Sequence, residues 1–321
     1  MPSEMNGEIQ DADFAIGLHV PGTFHKVLDI DGCMLQPKFG NQLLRDVREF
    51  IKTSGISAYD LRNHTGCFRF LMLRHSVYAD QWMVNLITSE HDHTLLKRLS
   101  DQLQNYSSVV SIVNNITQKK SSVAIGEYEV LLFGQPNLKE AIGQFVFEIS
   151  ANSFFQTNTL GAQKLYDVVK NYAELTGTEY VVDLYCGTGT ISIWLSSLAR
   201  KITGIELIES AVLDAKKNCA LNGIDNCEFV LGDIRDRLSL IDQLPDVVII
   251  DPPRTGMHPD VTQALLDMAP KRIVYVSCNP ATLARDLHEL KKKYDIIEVQ
   301  PVDLFPNTAH IEAVAKLIVS S

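Results

Sequence analysis

The carboxyl-terminal part of the chain alternates short β-branched runs with segments in which apolar residues recur at helical spacing. Five of these runs are predicted strands, at 181–183, 202–206, 228–231, 246–251 and 272–276. Helical patterns lie between them, for example over 209–221 and, after Pro280, over 281–293. Two further strand-like runs, 296–302 and 311–319, close the chain. This alternation predicts an α/β fold with a mostly parallel sheet.

The region before this alternation has another pattern and is predicted to be a smaller α+β domain. An amphipathic helix carries Leu43, Leu44, Val47, Phe50 and Ile51, and strand-like runs follow at 67–73, 81–88 and 109–116. We place the boundary in the turn signal at 134–137, after which a helical stripe over 160–172 leads into the sheet. The predicted divisions are an N-terminal tail (1–23), a central α+β domain (24–140) and a sheet domain (141–321).

Composition places the chain among ordinary globular proteins, with 321 residues of which 45% are apolar and 21% are charged. No apolar run is long enough to span a bilayer, so we expect no membrane association. Six cysteines without a C-x-x-C pair favour a reducing, cytoplasmic location and argue against a metal site. The His-containing segment 90–93 has no partner cluster of ligands and is interpreted as a polar turn. A net charge of -10 mildly disfavours nucleic acid as a partner, although a local basic face is compatible with it.

A glycine-rich turn follows the first strand of the sheet domain, in the sequence DLYCGTGT at 183–190. Such a turn brings backbone amides close to a ligand, typically a nucleotide. Ser192 stands where a dinucleotide fingerprint has its third glycine, which disfavours NAD, and Asp183 suits a cationic amino-acid group. Glu206 ends the second strand, where it can accept hydrogen bonds from ribose hydroxyls. Asp233 ends the third strand, where it can accept a hydrogen bond from an adenine amino group. These acids together predict S-adenosylmethionine.

Reactive groups follow the later strands. Asp251 begins the segment DPPR at 251–254, and its two prolines hold the carboxylate at the sheet edge. Cys278 lies in the segment SCNP at 277–280, where it is either a core residue or a nucleophile, and its neighbours favour the nucleophile. Glu312 opens the last strand and is either a solvated strand end or a general base with a raised pKa. His310 is interpreted as structural or as facing RNA.

The five segments NSFFQ (152–156), DLYCGTGT (183–190), DPPR (251–254), SCNP (277–280) and HIE (310–312) together resemble the RNA uracil-5-methyltransferase family. The resemblance covers residue 24 to the end and implies a Rossmann-like class I methyltransferase. It implies that Cys278 is the nucleophile and Glu312 the base, while Asp251 and Arg254 bind the uracil. By the same resemblance, the S-adenosylmethionine and uracil site is lined by Gln156, Tyr185, Thr190, Glu206, Asp233 and Asp251.

The resemblance also implies the partner and the reaction. Members methylate uridines of tRNA or of 23S ribosomal RNA to 5-methyluridine, so we expect RNA as the substrate and no obligate protein partner. Many members carry an N-terminal OB-like module, and some bind an iron–sulfur cluster through three cysteines upstream of one that resembles Cys33. From the residues before Cys33 we expect neither of them here. RNA binding would then fall to the 24–140 domain, with Arg45, Arg48, Arg62, Arg69 and Arg74.

Two other functions remain open at this point. One is an RNA-binding or folding module that keeps the S-adenosylmethionine pocket without turnover, which the presence of both Cys278 and Glu312 disfavours. The other is a nicotinamide dehydrogenase, which Ser192 disfavours.

Overall fold

The computed structural model describes residues 14–20, 22–23, 25–120, 123–241 and 243–320. The chain divides between Leu138 and Lys139 into two compact units. Most of the predicted tail, residues 1–13 together with Pro21, lies outside the described residues. In the described parts of the chain, every helix is too short or too polar to cross a bilayer.

The first unit contains a four-stranded sheet with two helices. Its strands are β1 (Gly17–His19), β2 (Val27–Asp29), β3 (Phe68–Ser76), β4 (Gln81–Thr88), β5 (Val109–Ile116) and β6 (Tyr128–Gly134), and its helices are α1 (Lys38–Ser54) and α2 (His93–Leu103). The sheet has the order β3-β4-β5-β6, in which only the β4–β5 pair is parallel, while β1 and β2 form a separate hairpin. The predicted stripe of α1 is buried in the core of this unit, together with apolar residues of α2 and of the sheet. The sequence pattern had not indicated α2 or β6.

The polar segment 90–93 begins α2. Asp92 is the N-cap residue of α2, and its carboxylate accepts a hydrogen bond of 2.9 Å from the backbone N–H of Leu95. Nδ1 of His91 lies 2.9 Å from the side-chain oxygen of Asn114. These two residues therefore have structural partners within the unit.

At least two of the five arginines expected to bind RNA have partners inside the fold: Arg48, and half-buried Arg69, which donates to the carbonyls of Thr117 and Lys119 at 2.9 and 2.8 Å. Arg48 is buried, forms an ion pair of 3.1 Å with Asp29 and donates to the carbonyl of Ile30. By contrast, Arg45 and Arg62 are exposed. Since a guanidinium that is buried and paired is not available to a phosphate, Arg48 is removed from the expected RNA surface.

The second unit is built around a seven-stranded sheet. Its strands are β7 (Asn137–Ile142, which begins just before the division), β8 (Phe145–Ser150), β9 (Tyr180–Leu184), β10 (Lys201–Glu206), β11 (Cys227–Leu231), β12 (Val247–Ile250), β13 (Arg272–Ser277), β14 (Tyr294–Val302) and β15 (Glu312–Val319). Its helices are α3 (Thr159–Ala173), α4 (Thr190–Leu195), α5 (Glu209–Leu221), α6 (Ile234–Leu238), α7 (Pro259–Met268) and α8 (Pro280–Leu290), with a 3-10 turn at Ser196–Leu198. The sequence pattern had not indicated β7 and β8, which form a two-stranded sheet of their own.

The order of the large sheet is β11-β10-β9-β12-β13-β15-β14. All of its neighbouring pairs are parallel except the two that involve β15, so β15 alone runs against the other strands. Buried apolar residues cover both faces, as with Val181 on one side and Val182 on the other. Burial on both faces explains why these strands read as continuous apolar runs. The predicted mostly parallel sheet is confirmed.

Strand register brings the ends of the strands to one edge. Leu184 at the end of β9 is paired with Ile205 and Ile250, and Ile250 is paired in turn with Tyr275. Because β15 enters the sheet in the opposite direction, its first residue, Glu312, lies at the same edge as the last residues of its neighbours. This edge is where ligands bind in open α/β sheets.

Candidate active site

A cavity opens at this edge of the sheet. It is bounded by the turn after β9, by the segment before α3 and by the end of β12. Its lining consists of Phe154, Phe155, Gln156, Tyr166, Asp183, Tyr185, Cys186, Gly187, Thr188, Thr190, Ile191 and Asp251. Of the site residues predicted from sequence, Gln156, Asp183, Tyr185, Thr190 and Asp251 line it.

The glycine-rich turn has the backbone conformation of a close ligand approach. Tyr185, Gly187 and Gly189 have φ values of 62°, 54° and 76°. Gly189 is the N-cap residue of α4, and a Cβ atom there would lie 2.7 Å from the ring of Phe229. Gly187 donates its backbone N–H to a carboxylate oxygen of Glu206 at 3.0 Å. The turn is thus fixed by its own glycines and by the end of β10.

Asp183 presents an unpaired carboxylate oxygen within the cavity lining. The side chain is 1% exposed, its Oδ2 accepts a 2.6 Å hydrogen bond from the hydroxyl of Ser192, and its Oδ1 has no hydrogen-bond partner among the described residues. Burial raises the pKa of Asp183 to about 7. The charge of Glu206 also raises this pKa, whereas the hydrogen bond from Ser192 lowers it. A buried acceptor without a donor fits a cationic ligand group, such as the amino group of S-adenosylmethionine. In the sequence, Ser192 only disfavoured an NAD site; in the structure, its hydroxyl orients the carboxylate of Asp183.

Glu206 and Asp233 lie beside the cavity rather than in its lining. Glu206 accepts hydrogen bonds from the backbone N–H groups of Gly187 and Ile208, at 3.0 and 2.8 Å. Asp233 caps α6 and forms an ion pair of 2.5 Å with Arg235, which lowers the pKa of its carboxyl group to about 2. A ligand that used Asp233 would have to share it with Arg235.

The segment before α3 forms another wall of the cavity. Phe155 is buried whereas Phe154 is 73% exposed, and both line the cavity with Gln156. Asn158 caps α3 by accepting from the N–H of Gly161 at 3.0 Å, and it donates to the carbonyl of Leu304 at 2.6 Å. Asn158 therefore joins this wall to the loop that precedes β15.

Tyr166 is a lining residue that the sequence reasoning missed. Its hydroxyl donates a 3.0 Å hydrogen bond to Oγ1 of Thr190, the first residue of α4. Burial raises the pKa of Tyr166, so it remains a neutral donor. The only signal in the sequence was its position beside Leu165 in the predicted helical stripe.

The loop after β12 is held by α8. The carbonyl of Arg254 accepts from the side-chain amide of Asn279 at 3.0 Å and from the hydroxyl of Thr282 at 3.3 Å. Arg285 donates to the carbonyl of Thr255 at 2.9 Å. Because Asn279 is the residue after Cys278, the Asp251–Arg254 segment and the cysteine turn are fixed to each other.

Cys278 and Glu312 are brought together by strand register. Ser277, the last residue of β13, is paired with Ala313 of the antiparallel strand β15. Cys278 directly follows Ser277 and Glu312 directly precedes Ala313, so both lie at the same end of this ladder, next to its last pair. Cys278 is half-buried, while Glu312 is 9% exposed.

The charged groups around the Cys278 thiol have opposite effects on its pKa. Burial raises the pKa of Cys278, the charge of Glu312 raises it further, and the adjacent guanidinium of Arg254 lowers it. Burial also raises the pKa of Glu312, against the charge of Arg254. Asp251 has its pKa raised to about 8 by burial and by the charges of Glu312 and Asp183. Several carboxyl groups thus share this edge with Arg254 as the nearby cation, an arrangement typical of catalytic sites.

Comparison with known proteins identifies relatives over most of the chain. Residues 72–319 match the tRNA (uracil-5-)-methyltransferase family. An RNA methyltransferase of Chlorobaculum tepidum, itself uncharacterized, is 43% identical over 310 residues, which are 94% of this chain and 64% of that protein. A second, from Bacteroides thetaiotaomicron, is 42% identical and covers 94% of this chain and 68% of its own length. The chain thus spans about two thirds of the length of these relatives.

Solved structures give the same result. The Pyrococcus abyssi tRNA (uracil-54, C5)-methyltransferase, in complex with S-adenosyl-L-homocysteine, superposes with a TM-score of 0.77 at 34% identity and covers 94% of this chain and 73% of its own. The tRNA m1G37 methyltransferase of M. jannaschii shares the fold alone, with a TM-score of 0.50 at 16% identity over 82% of this chain and 79% of its own.

These matches confirm the family and the Rossmann-like fold class that were predicted from the sequence. They also agree with the predicted cofactor, since the similar P. abyssi structure holds the demethylated form of the methyl donor. The chain belongs to the tRNA (uracil-5-)-methyltransferase family, a family of S-adenosylmethionine-dependent methyltransferases.

Proposed function

We propose that the protein transfers a methyl group from S-adenosylmethionine to carbon 5 of a uridine in RNA, through a covalent bond between Cys278 and the uracil. The observation that carries this proposal is that Cys278 and Glu312 lie at the same end of the β13–β15 ladder, with Arg254 beside the thiol. A nucleophile, a buried carboxyl group and a cation then converge on one edge of the sheet. This set of groups is what methylation of an unreactive carbon requires.

The chemistry proceeds through four changes in bonding. The thiolate of Cys278 adds to carbon 6 of the uracil, and the electron pair of the C5–C6 double bond moves toward the O4 carbonyl to form an enolate. Carbon 5 then takes up the methyl group that S-adenosylmethionine supplies. Glu312 removes the proton from carbon 5, the double bond reforms, and the C6–S bond breaks to return the thiolate. The products are 5-methyluridine, S-adenosylhomocysteine and one proton.

Asp251 and Arg254 would stabilise the enolate oxygen. The guanidinium of Arg254 supplies positive charge near Cys278. With a pKa of about 8, Asp251 carries a proton near neutral pH and so presents a hydrogen-bond donor rather than a second negative charge. Both groups would bind the oxygen more strongly as its charge develops, which is how a site lowers the barrier rather than only binding the base.

The remaining predicted residues would hold the methyl donor. Asp183 fits its amino group because one buried oxygen is unpaired, and Glu206 fits its ribose at the end of β10. The sequence-based assignments of Gln156, Tyr185, Thr190 and Asp233 to the donor site are kept as part of this proposal. No metal or iron–sulfur cluster has a part in it.

We propose RNA as the substrate and tRNA as the first candidate, because the similar P. abyssi enzyme acts on tRNA. A uridine in a helix would have to leave its stack to reach carbon 6 with a thiol, which favours a loop or a flipped base. Ribosomal RNA remains the other substrate to test. The free cysteines favour a cytoplasmic location. Residues 24–140 would bind the RNA and 141–321 would carry the catalysis.

The test is transfer of a labelled methyl group from S-adenosylmethionine to unmodified tRNA and to ribosomal RNA, with nucleosides analysed by mass spectrometry. The native protein should form 5-methyluridine, and Cys278→Ala should lower the rate by about a thousandfold or more. Cys33→Ala is the matched control, because Cys33 is also a half-buried free thiol and lies in the other unit. Full activity of Cys278→Ala would contradict the mechanism, and no transfer to either RNA would favour the module without turnover.

A further inference from the structure

The guanidinium of Arg254 is held by His310. Nη2 of Arg254 lies 2.9 Å from Nδ1 of His310. Since a guanidinium has donors only, Nδ1 must be the acceptor, and the neutral ring then carries its proton on Nε2. The contact therefore specifies one tautomer of His310.

The other end of Arg254 is also fixed, by the turn that carries the nucleophile. Its carbonyl accepts from Asn279 and from Thr282, as described above. A long exposed side chain fixed only at its backbone would sample many rotamers. The hydrogen bond to His310 selects among them on the β15 side of the site, where the guanidinium also lies beside the Cys278 thiol.

His310 is itself ordered, although it is exposed. Its backbone N–H donates to Oγ1 of Thr308 at 3.2 Å, and Thr308 donates to the carbonyl of Phe305 at 2.7 Å. Leu304 at the start of this loop is buried and accepts from Asn158. His310 thus lies in a turn that is held by hydrogen bonds, two residues before Glu312.

We propose that His310 is a positioning residue of the methyl transfer, which holds the guanidinium of Arg254 beside Cys278. This inference rests on the proposed function for its catalytic meaning. It assigns a task to a histidine that the sequence reasoning interpreted as structural or as facing RNA. Through Arg254 and Asn279, the loop after β12, the turn after β13 and the start of β15 form one connected unit.

The hydrogen bond between His310 and Arg254 affects the ionisation of the Cys278 thiol. The groups that face Cys278 are Glu312 and, once it is ionised, Asp251, which disfavour its thiolate, and Arg254, which favours it. If Arg254 loses its partner, its charge spends less time near the sulfur, and the thiolate fraction at neutral pH falls. Cys278 would then add to carbon 6 more slowly even when the RNA is fully bound.

The test compares three variants of the full chain. His310→Ala removes the acceptor, whereas His310→Asn returns an amide oxygen near the position of Nδ1. His288→Ala is the matched control, because His288 is exposed and lies in the last turn of α8, at the opposite end from Asn279. Alkylation of Cys278 by iodoacetamide is followed over a pH series by mass spectrometry of the peptide that contains it, and kcat and KM are measured for methylation.

We expect the alkylation profile of His310→Ala to move to higher pH, with a several-fold lower rate near neutral pH, and kcat to fall more than KM rises. His310→Asn should recover most of the loss, and His288→Ala should behave as native. An unchanged profile in His310→Ala, or equal losses in the Ala and Asn variants, would overturn the proposal. Because alkylation needs neither RNA nor methyl donor, it gives its result even if the proposed reaction is wrong.

Discussion

Ser277 of β13 is paired with Ala313 of β15, and this pairing brings the residues next to it, Cys278 and Glu312, to the same end of the ladder. Cys278 and Glu312 are 34 positions apart in the sequence, and the antiparallel entry of β15 brings them to one edge. A parallel last strand would carry its first residue to the far edge of the sheet. The proposed mechanism therefore depends on the single strand that runs against the others.

Glu312→Gln should separate addition from elimination. The amide keeps the shape of the side chain but cannot accept the carbon-5 proton, so the methylated uracil should remain bonded to Cys278. We expect turnover to fall by at least about a hundredfold and a protein–RNA adduct to accumulate on ordinary RNA. Denaturing electrophoresis measures this adduct directly.

The control for this prediction is the double variant with Cys278→Ala, which should form no adduct. Loss of turnover without any adduct in Glu312→Gln would mean that Glu312 acts before or during addition. It would then not be the base that removes the carbon-5 proton.

Asp183 and Asp251 should make the fold less stable as the pH rises. Their pKa values are about 7 and about 8 in the folded protein, against 3.8 for an ordinary aspartate. Between those limits the folded state binds more protons than the unfolded state, so the free energy of unfolding falls as the pH rises through this window. At pH near 8.5 we expect the free energy of unfolding of Asp251→Asn to exceed that of the native protein by roughly 1–3 kcal/mol, so that the variant unfolds at a higher temperature. Near pH 4 the two should be equally stable.

Thermal unfolding at a series of pH values checks this. Asp183→Asn should show the same trend, together with weaker binding of S-adenosylmethionine, because it loses the charge that faces the ligand amino group. A native melting temperature that rises steadily from pH 5 to pH 8.5 would contradict the assigned directions.

Gly189 should tolerate a side chain less well than Gly187. Both have left-handed backbone conformations, which cost a residue with a Cβ atom about 1–2 kcal/mol. At Gly189 the added carbon would also meet Phe229 at 2.7 Å, whereas at Gly187 no atom lies within 4 Å of it. We expect Gly189→Ala to lose about 1–3 kcal/mol more stability than Gly187→Ala in chemical denaturation. Equal losses would show that Phe229 moves aside without cost.

Much of the fold could be predicted from local sequence patterns. The predicted bounds of β4, β5 and α5 agree with the structure, and the apolar runs of β4 and β5 are bounded by polar residues (Asp80, Ser89, Ser108 and Thr117). Among the strands that were not indicated, β6 has mostly exposed or half-exposed residues. A strand whose residues are not buried has little apolar pattern to reveal it.

The candidate site could be predicted as a set of strand ends but not as a network. The acids and the cysteine were visible because each directly follows or begins an apolar run. The contacts of Ser192 with Asp183, of Tyr166 with Thr190 and of His310 with Arg254 join residues from different elements. Such contacts depend on rotamers and loop paths, which no periodicity encodes.

The covalent bond between Cys278 and uracil is the central claim, and RNA that contains 5-fluorouridine tests it most directly. Fluorine at carbon 5 cannot leave as a cation, so the elimination step is blocked after methyl transfer. Native protein incubated with this RNA and S-adenosylmethionine should give a denaturation-resistant adduct that carries the added methyl group and maps to the peptide with Cys278. An adduct that forms equally well with Cys278→Ala, or no adduct on an RNA that is otherwise methylated, would contradict the account.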